Sequence, residues 1–310
     1  MFFLNLQHVY RETKFLYPET RYLNIAKRLA VVCWCLPFLH RARLWLDATE
    51  NPLLIREFAL TPEIREFLYR PYINKFWNST KRLKVIEEHY RLVHSNVPLL
   101  NLAPDTYIDL AICELVPGKL RVVLDRPRWM RREGEIGISL FLGIDRIFTV
   151  MFILSGTPAD MVLIIGCVQG ADGLGKNIYK ELTSALYGMR PRDFILHIIK
   201  IISEELHCKA IYGIADAAHR SAYWYSKSFK YSCYDDMWLE HGGKKTSDGQ
   251  FFKLAPLIVK RADENITAKK RGLYRRRYQF LDDLRVRLQG VIAFPPPKNN
   301  ASEATLQKPR

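Results

Sequence analysis

Residues 161–177 read MVLIIGCVQGADGLGKN. Residues 161–168 are apolar at almost every position, which is typical of a strand in the middle of a sheet. The glycines that follow Gln169 predict a turn, and Asn177 is a residue type that caps helices. The stretch therefore predicts a central strand, a glycine-rich turn and a helix in direct succession.

Strands are also predicted upstream of this stretch. They lie at 107–116, 120–124, 136–142 and 146–154. Pro117-Gly118 and a short Gly-Ile-Asp link are turn signals between neighbouring strands. Because successive strands joined by short turns pair antiparallel, we expect an antiparallel meander that ends in the central strand.

Helices and strands alternate downstream of the turn. The predicted elements are helices at 177–187 and 192–206, a strand at 210–214, a short helix at 221–229 and a hairpin of 236–240 with 251–254. Gly242-Gly243 is the expected turn region of that hairpin.

Residues 1–105 have a mostly helical pattern. Apolar residues recur at helical spacing in 22–36, where Pro37 interrupts the helix, and in 79–95. Residues 29–39, LAVVCWCLPFL, are shorter than the roughly 20 residues that a spanning helix needs. We expect a buried helix there, with an interfacial helix as the alternative. The first residues lack the pattern of a secretory signal, so a cytoplasmic protein is expected.

The chain of 310 residues carries a formal net charge of +15 and has a pI of about 9.5. This charge favours anionic partners, such as an anionic membrane surface, a phosphorylated small molecule or a nucleic acid. No nucleic-acid-binding module is recognised. Solvated basic faces on an ordinary cytosolic protein are the alternative explanation.

The six cysteines do not suggest disulfides or a metal site. Most lie within apolar runs, as Cys113 and Cys167 do, and are expected to be small buried side chains. Cys33 and Cys35 form C-x-C and not the C-x-x-C of zinc and redox sites. No metal ligands are therefore predicted.

The order of elements resembles the N-acetyltransferase (GNAT) architecture. That resemblance implies that the turn holds the pyrophosphate of acyl-CoA at the following helix N-terminus. The candidate acyl-CoA residues are Gln169, Gly170, Gly173, Gly175 and Lys176. A phosphate loop for ATP or GTP is disfavoured, because Asn177 replaces its hydroxyl residue and Asp172 repels phosphate. A plain glycine turn with a capped helix remains the alternative.

Several stretches together resemble the VirK/YbjX family of Gram-negative bacteria, over about residues 5–288. They are GCVQG at 166–170, LYGMRPR at 186–192, His219, YDDMWLE at 234–240 with Gly242-Gly243, and YRRRY at 274–278. The resemblance implies a role in virulence, in display of an actin-recruiting outer-membrane protein, and in envelope remodelling with resistance to cationic antimicrobial peptides. It implies envelope-biogenesis partners and no particular reaction. The G-x-G-K element after Gly170 departs from the family pattern.

Two groups of polar residues are candidate sites. Arg190 and Arg192 flank the predicted start of a helix and would bind phosphate or carboxylate, unless they neutralise nearby carboxylates such as Asp193 and Glu181. His219 follows the strand 210–214, and Asp216 beside it would make it a candidate general base. A histidine that only holds the turn is the alternative.

A third candidate group lies in residues 234–240. If 236–240 is a strand, alternation places Asp236, Trp238 and Glu240 on one face. Tyr234, Asp235 and Trp238 would then line a cleft with Glu240 as an acid or base. An edge strand with the indole packed in the core is the alternative.

The sequence as a whole predicts an α/β protein with a GNAT-like, largely antiparallel mixed sheet. The expected parts are a helical region at 1–105, the α/β domain at 106–259, a basic helix at 260–289 containing Arg275 to Arg277, and a disordered tail at 290–310. The basic helix fits an anionic inner leaflet, nucleic-acid phosphates or solvent. The two functional hypotheses are acyl or aminoacyl transfer to an envelope precursor, and a non-enzymatic adaptor that binds lipid or protein at the inner membrane.

Overall fold

The computed structural model describes residues 2–18, 21–46, 52–116, 118–171, 175–221, 233–293 and 299–300. The helices are α1 Phe2–Leu16, α2 Tyr22–Cys35, α3 Leu39–Leu46, α4 Pro52–Leu60, α5 Ser79–Ser95, α6 Lys176–Ala185, α7 Pro191–Glu205, α8 Tyr234–Glu240 and α9 Ala268–Ala293. The strands are β1 Thr106–Glu114, β2 Lys119–Asp125, β3 Ile136–Leu142, β4 Asp145–Ser155, β5 Val162–Gly170, β6 Ala210–Ile214, β7 Lys244–Lys245, β8 Phe251–Leu254 and β9 Asn299–Asn300.

The strands form one mixed sheet in the order β7-β8-β6-β5-β4-β3-β2-β1-β9. β1 to β5 form an antiparallel meander, as short links require. β5 and β6 are parallel, because α6 and α7 form the crossover between them. The predicted α/β fold with N-terminal helices, a largely antiparallel sheet and a C-terminal helix is confirmed.

Each face of the sheet is covered by a different set of helices. α7 packs on one face through Ile195, Ile198 and Ile202, and α9 packs against α7. The N-terminal helices form a second core cluster with the sheet residues Ile153 and Ile164. The central strand is therefore buried on both faces, which explains its unbroken apolar sequence.

A buried polar network ties the N-terminal helices to the sheet. Nη1 of Arg126 lies 2.7 Å from Oε2 of Glu57, and Nη2 lies 3.2 Å from Oε2 of Glu135. Tyr72 donates to Glu135 at 3.0 Å, and Tyr90 contacts both Arg126 and Glu135. One guanidinium therefore offsets two carboxylates that are both removed from water.

His89 is a second buried polar group at the same junction. It lies on α5, and its Nδ1 accepts the backbone N–H of Leu154 at 3.2 Å. Burial, together with the positive charge of Arg126, lowers the pKa of His89 to about 3. The imidazole is therefore neutral in the folded protein at ordinary pH.

The prediction of a strand at 236–240 is wrong, because these residues belong to α8. The carboxylate of Asp216 accepts the backbone N–H groups of Tyr234 and Asp235, and so caps the helix from a distant part of the chain. Met237 and Trp238 are both buried although they are adjacent, which a helix allows and strand alternation does not. β8 pairs instead with β7, and the turn between them is 246–250.

Smaller differences concern element ends. α6 begins at Lys176 with Gly175 at the N-cap position, so the prediction that Asn177 caps the helix is wrong. α9 runs over Ala268–Ala293 and so begins eight residues after the predicted start at 260 and extends past 289. β9 pairs with β1 in the tail that was expected to be disordered. Most of the predicted helix at 221–229 lies outside the described residues.

Candidate functional site

β5 and β6 separate partway along their length. They pair as far as Ile165, and β5 then continues to Gly170 paired with β4 only. A β-bulge at Gly166 marks the separation, since consecutive residues of β4 face Ile165 and Cys167. A bulge redirects the side chains that follow it. Cys167 therefore lies on the sheet face opposite α7, where it packs with Met130 and Met151.

Three side chains with metal-binding or nucleophilic atoms meet beside this bulge. One ligand atom each from Glu133, Cys167 and His219 lie within 4.8 Å of one another. A Cβ atom at Gly166 would lie 2.2 Å from the carbonyl oxygen of Glu133, so only glycine lets this loop approach the strand. Glu133, Cys167 and His219 are called the sheet-opening cluster below.

Hydrogen bonds orient the cluster. Sγ of Cys167 lies within 4.8 Å of a carboxylate oxygen of Glu133, and Oε1 of Glu133 pairs with Arg220. Nδ1 of His219 lies 2.6 Å from Oγ of Ser221. Nε2 of His219 is buried, lies in the neighbourhood of the Gly166 carbonyl, and has no hydrogen-bond partner of good geometry within the described residues.

The electrostatic state of the cluster does not favour a cysteine nucleophile. Burial, followed by the negative charge of Glu133, raises the pKa of Cys167 well above its usual range. Burial lowers the pKa of His219, although Glu133 partly opposes this shift. Both shifts favour the neutral forms, a thiol on Cys167 and an uncharged imidazole on His219. A nucleophilic cysteine needs a thiolate instead.

Tyr234 occupies the space that opens between β5 and β6. Its hydroxyl accepts the backbone N–H of Val168 at 3.2 Å and donates to the Val168 carbonyl at 3.2 Å. The hydroxyl also lies 3.6 Å from Sγ of Cys167, and the ring contacts His219 edge-on. Tyr234 thus satisfies backbone groups of β5 that β6 no longer reaches.

Asp216 and Asp235 hold Tyr234 in place. Oδ1 and Oδ2 of Asp216 accept the N–H groups of Tyr234 and Asp235 at 3.0 and 3.2 Å, and Asp235 accepts the N–H of Asp216 at 2.9 Å. Asp235 also pairs with Lys245 at 3.0 Å. Asp216 therefore acts as a helix cap for α8, and its two oxygens are directed at α8 and not at the imidazole of His219.

The arginines at the start of α7 form an ion-pair cluster with acidic residues. Glu240 lies 2.5 Å from Arg190 and 2.8 Å from Arg192, and Arg190 also pairs with Asp193 at 2.7 Å. Although burial raises it, hydrogen bonds from His241 and Arg190 hold the pKa of Asp193 well below its usual range. Both arginines thus already face carboxylates; Asp193 was expected as a partner, whereas the second partner is Glu240 and not Glu181.

The predicted site residues do not converge on one pocket. His219, Asp216, Tyr234 and Asp235 lie at the sheet opening, where His219 bridges to Asn74 on the side of the N-terminal helices. Arg190, Arg192 and Glu240 lie at the start of α7 on the other face. Trp238 is fully buried under Gly213 and donates to the Ile214 carbonyl at 2.8 Å.

The predicted acyl-CoA turn is only partly described. Gln169 and Gly170 end β5, and Gly175 precedes α6, whereas Gly173 lies outside the described residues. Lys176 is the first residue of α6. Sequence reasoning missed Glu133 and Cys167, because no regular spacing links them. The Gly-Cys step inside an apolar strand was the only available signal of the bulge.

α2 has two apolar stripes instead of one. Val31, Val32 and Cys35 face the core. Tyr22, Leu23, Ala26, Leu29, Ala30, Cys33 and Trp34 are exposed at helical spacing and form what is called the α2 outer stripe below. Leu23 is 65% exposed and Trp34 is 60% exposed. The expected buried helix at 29–39 is therefore buried on one side only.

The stripe belongs to the most apolar part of the chain. Tyr22–Leu46 is long and apolar enough to cross a membrane by length and composition, and 28% of its most apolar 18-residue stretch is buried inside the protein. Phe2, Phe3 and Leu4 at the start of α1 are exposed as well. Residues 2–46 contain seven Lys and Arg against two Glu, which gives this region a net charge of +5.

The basic α9 divides into structural and exposed arginines. Arg277 donates to the Tyr187 carbonyl at 2.8 Å and stacks on Tyr274, so it holds α9 against the turn before α7. Arg276 is exposed, and Arg275 forms an exposed pair with Asp263 at 3.3 Å. Only part of the predicted arginine cluster therefore faces solvent.

Comparison with known proteins assigns the chain to a family. A family model described as "Protein of unknown function (DUF535)" matches residues 21–290. Two uncharacterised proteins of Haemophilus influenzae are 30% and 31% identical over 70% and 69% of this chain, and over 74% and 70% of their own lengths. The Escherichia coli K12 "Uncharacterized protein YbjX" is 25% identical over 75% of this chain and 72% of its own. No solved structure gives a significant match. The chain therefore belongs to the DUF535 family, the VirK/YbjX family.

Proposed function

We propose that this protein is a peripheral membrane protein that supports envelope homeostasis from an anionic bilayer surface. The α2 outer stripe carries the proposal, because monomeric proteins rarely leave a contiguous apolar helix face in water. Surface display of envelope proteins and resistance to antimicrobial peptides are the processes it would serve, by resemblance to the family.

The stripe fits a helix that lies in the membrane plane. Its opposite face, with Val31, Val32 and Cys35, packs into the core of the N-terminal region. A helix fixed on one side by its own protein presents only its other side to lipid. Pro37 and the short 3₁₀ turn Leu36–Phe38 interrupt the apolar stretch. This interruption favours a helix that lies in the membrane plane over a helix that crosses the bilayer.

Charge around the stripe favours an anionic lipid surface. Lys27 is exposed beside the stripe, and Arg21 is exposed just before it. Each basic residue near an anionic surface contributes about 1 kcal/mol, and this attraction decays within a Debye length. The proposed occupant is therefore a bilayer with acidic headgroups.

Vesicle flotation of the full-length chain tests the proposal. The protein should float with phosphatidylcholine vesicles that contain phosphatidylglycerol, and less so with phosphatidylcholine alone or at high salt. Trp34→Glu should release it, because the new carboxylate would have to enter the apolar layer of an anionic surface. Val286→Glu is the control, since Val286 is 67% exposed on α9.

Two outcomes would overturn the stripe as the contact. One is a wild-type chain that floats with neither vesicle. The other is flotation that survives Trp34→Glu but is lost on replacing Arg275 and Arg276 by alanine, which would move the contact to α9. Arg277 is left intact in that variant because it holds α9 against Tyr187.

A further inference from the structure

We infer that the sheet-opening cluster is a zinc site, with Glu133, Cys167 and His219 as its protein ligands. The three ligand atoms already lie within 4.8 Å of one another. Zinc bonds of about 2.0–2.3 Å in tetrahedral geometry place ligand atoms roughly 3.5 Å apart. Side-chain adjustments of about 1 Å are therefore enough to close the site around an ion.

The donor set suits zinc better than harder cations. Thiolate and imidazole ligands select Zn²⁺ and related transition metals, whereas Mg²⁺ and Ca²⁺ prefer oxygen ligands alone. One sulfur, one nitrogen and one carboxylate oxygen match the ligand types of known zinc sites. Three protein ligands leave a fourth position for water, as in zinc sites that carry out chemistry.

The second ring nitrogen of His219 is available for a bond to a metal ion. In the tautomer in which Nδ1–H donates to Oγ of Ser221 at 2.6 Å, Nε2 carries the lone pair; in the other tautomer Nδ1 accepts from Ser221, whose backbone N–H also lies 3.4 Å away. Nε2 is buried near the Gly166 carbonyl and makes no hydrogen bond of good geometry among the described residues. Metal-binding histidines are commonly fixed in this way through the other ring nitrogen.

The fold holds the ligands on rigid elements. The bulge at Gly166 turns Cys167 out of the α7 core and towards the loop of Glu133, and a side chain at 166 would block that loop. Tyr234 lies 3.6 Å from Sγ as an outer-shell contact. Bulges that re-aim one side chain often occur beside functional sites.

The charges of the sheet-opening cluster and Arg220 would be balanced by one bound zinc ion together with one hydroxide. On binding, Zn²⁺ replaces the thiol proton of Cys167, and that proton is released to solvent. Zn²⁺, two anionic ligands and the neighbouring Arg220 then sum to one positive charge. A hydroxide in the fourth position would neutralise it, and zinc favours hydroxide formation near neutral pH. None of these residues belongs to the α2 outer stripe, so the proposal is independent of membrane binding.

The test uses the full-length chain. Purified protein is treated with a chelator, dialysed and titrated with Zn²⁺ against a chromophoric chelator, and with Co²⁺ by absorbance. We expect one equivalent of metal, and with Co²⁺ a sulfur-to-metal charge-transfer band together with tetrahedral d–d bands. Cys167→Ser should abolish the charge-transfer band. Cys113→Ser should leave it intact, since Cys113 and Cys167 are both 3% exposed cysteines in strands.

Further variants separate ligand loss from unfolding. His219→Gln and Glu133→Gln should weaken binding while thermal unfolding of the metal-free protein shows a folded chain. Ser221→Ala should lower the affinity by about 10- to 100-fold, as loss of a histidine's outer-shell partner does. Binding of less than one equivalent in the wild type, a cobalt spectrum without a sulfur band, or a band lost equally in Cys113→Ser would each overturn the site.

Discussion

Leu23 offers the sharpest quantitative test of the α2 outer stripe. Replacing it with alanine removes three carbon atoms, worth about 0.8 kcal/mol each on transfer out of water. Since 65% of Leu23 is exposed, about 1.5 kcal/mol of that transfer energy is available to a bilayer. A difference of about 1.4 kcal/mol is tenfold in affinity. Leu23→Ala should therefore weaken vesicle binding about tenfold.

The matched control is Leu239→Ala. Leu239 is 58% exposed, but it lies on α8 away from the stripe. Both variants are titrated with anionic vesicles, and the bound fraction is measured by sedimentation. Both should keep the wild-type thermal unfolding midpoint, because exposed leucines add little to the core. Equal partition constants for the Leu23 and Leu239 variants would refute the assignment of the stripe as the lipid contact.

Two further predictions concern the junction between the N-terminal helices and the sheet. Arg126→Met should lower the free energy of unfolding by about 3–5 kcal/mol in urea, because Glu57 and Glu135 would remain buried without their cation. His89 has a folded pKa of about 3, below the unfolded value of 6.5, so only the unfolded chain takes up its proton between these values. Its contribution to stability is complete above pH 6.5 and is lost as the pH falls towards 3, at up to about 1.4 kcal/mol per pH unit. His89→Gln should make the decline of the thermal midpoint in this range shallower.

Controls for these variants come from the same region. Arg128 forms an exposed pair with Asp105, so Arg128→Met should cost at most about 1 kcal/mol. A loss from Arg126→Met no larger than from Arg128→Met would contradict the proposed role of the buried network. A pH profile of His89→Gln that coincides with the wild type would contradict the assigned proton linkage.

The sheet was largely predictable because its information is local. β3, β6 and β8 have the predicted bounds, since each is an apolar run between turn residues. α5 also has its predicted bounds, and Asn78 caps it by accepting the N–H of Lys81. In these elements, periodicity and end signals agree with the tertiary environment.

The failures occur where distant residues decide the conformation. The aromatic and apolar residues of 234–240 favour a strand by composition, yet Asp216 supplies the cap that makes them a helix. The sheet-opening cluster could not be predicted from the sequence either, because the bulge at Gly166 depends on a loop more than 30 residues earlier in the chain. The role of Glu240 as an acid or base stays a prediction, but its position beside Arg190 depends on how α8 packs, which the sequence pattern does not reveal.

The second core cluster has a consequence for biosynthesis. It joins α1, α2 and α3 to Ile153, Ile164 and Ile214, which are all synthesised much later. The ribosome must add about 100 residues after α3 before Ile153 exists, which takes about 5 to 20 s at bacterial translation rates. During that interval the α2 outer stripe is exposed on the nascent chain, whereas the inner face of α2 can already pack against α1. The first helices therefore exist for several seconds before the strands of their core cluster, and under the proposed function the α2 outer stripe is available to a lipid surface throughout that time.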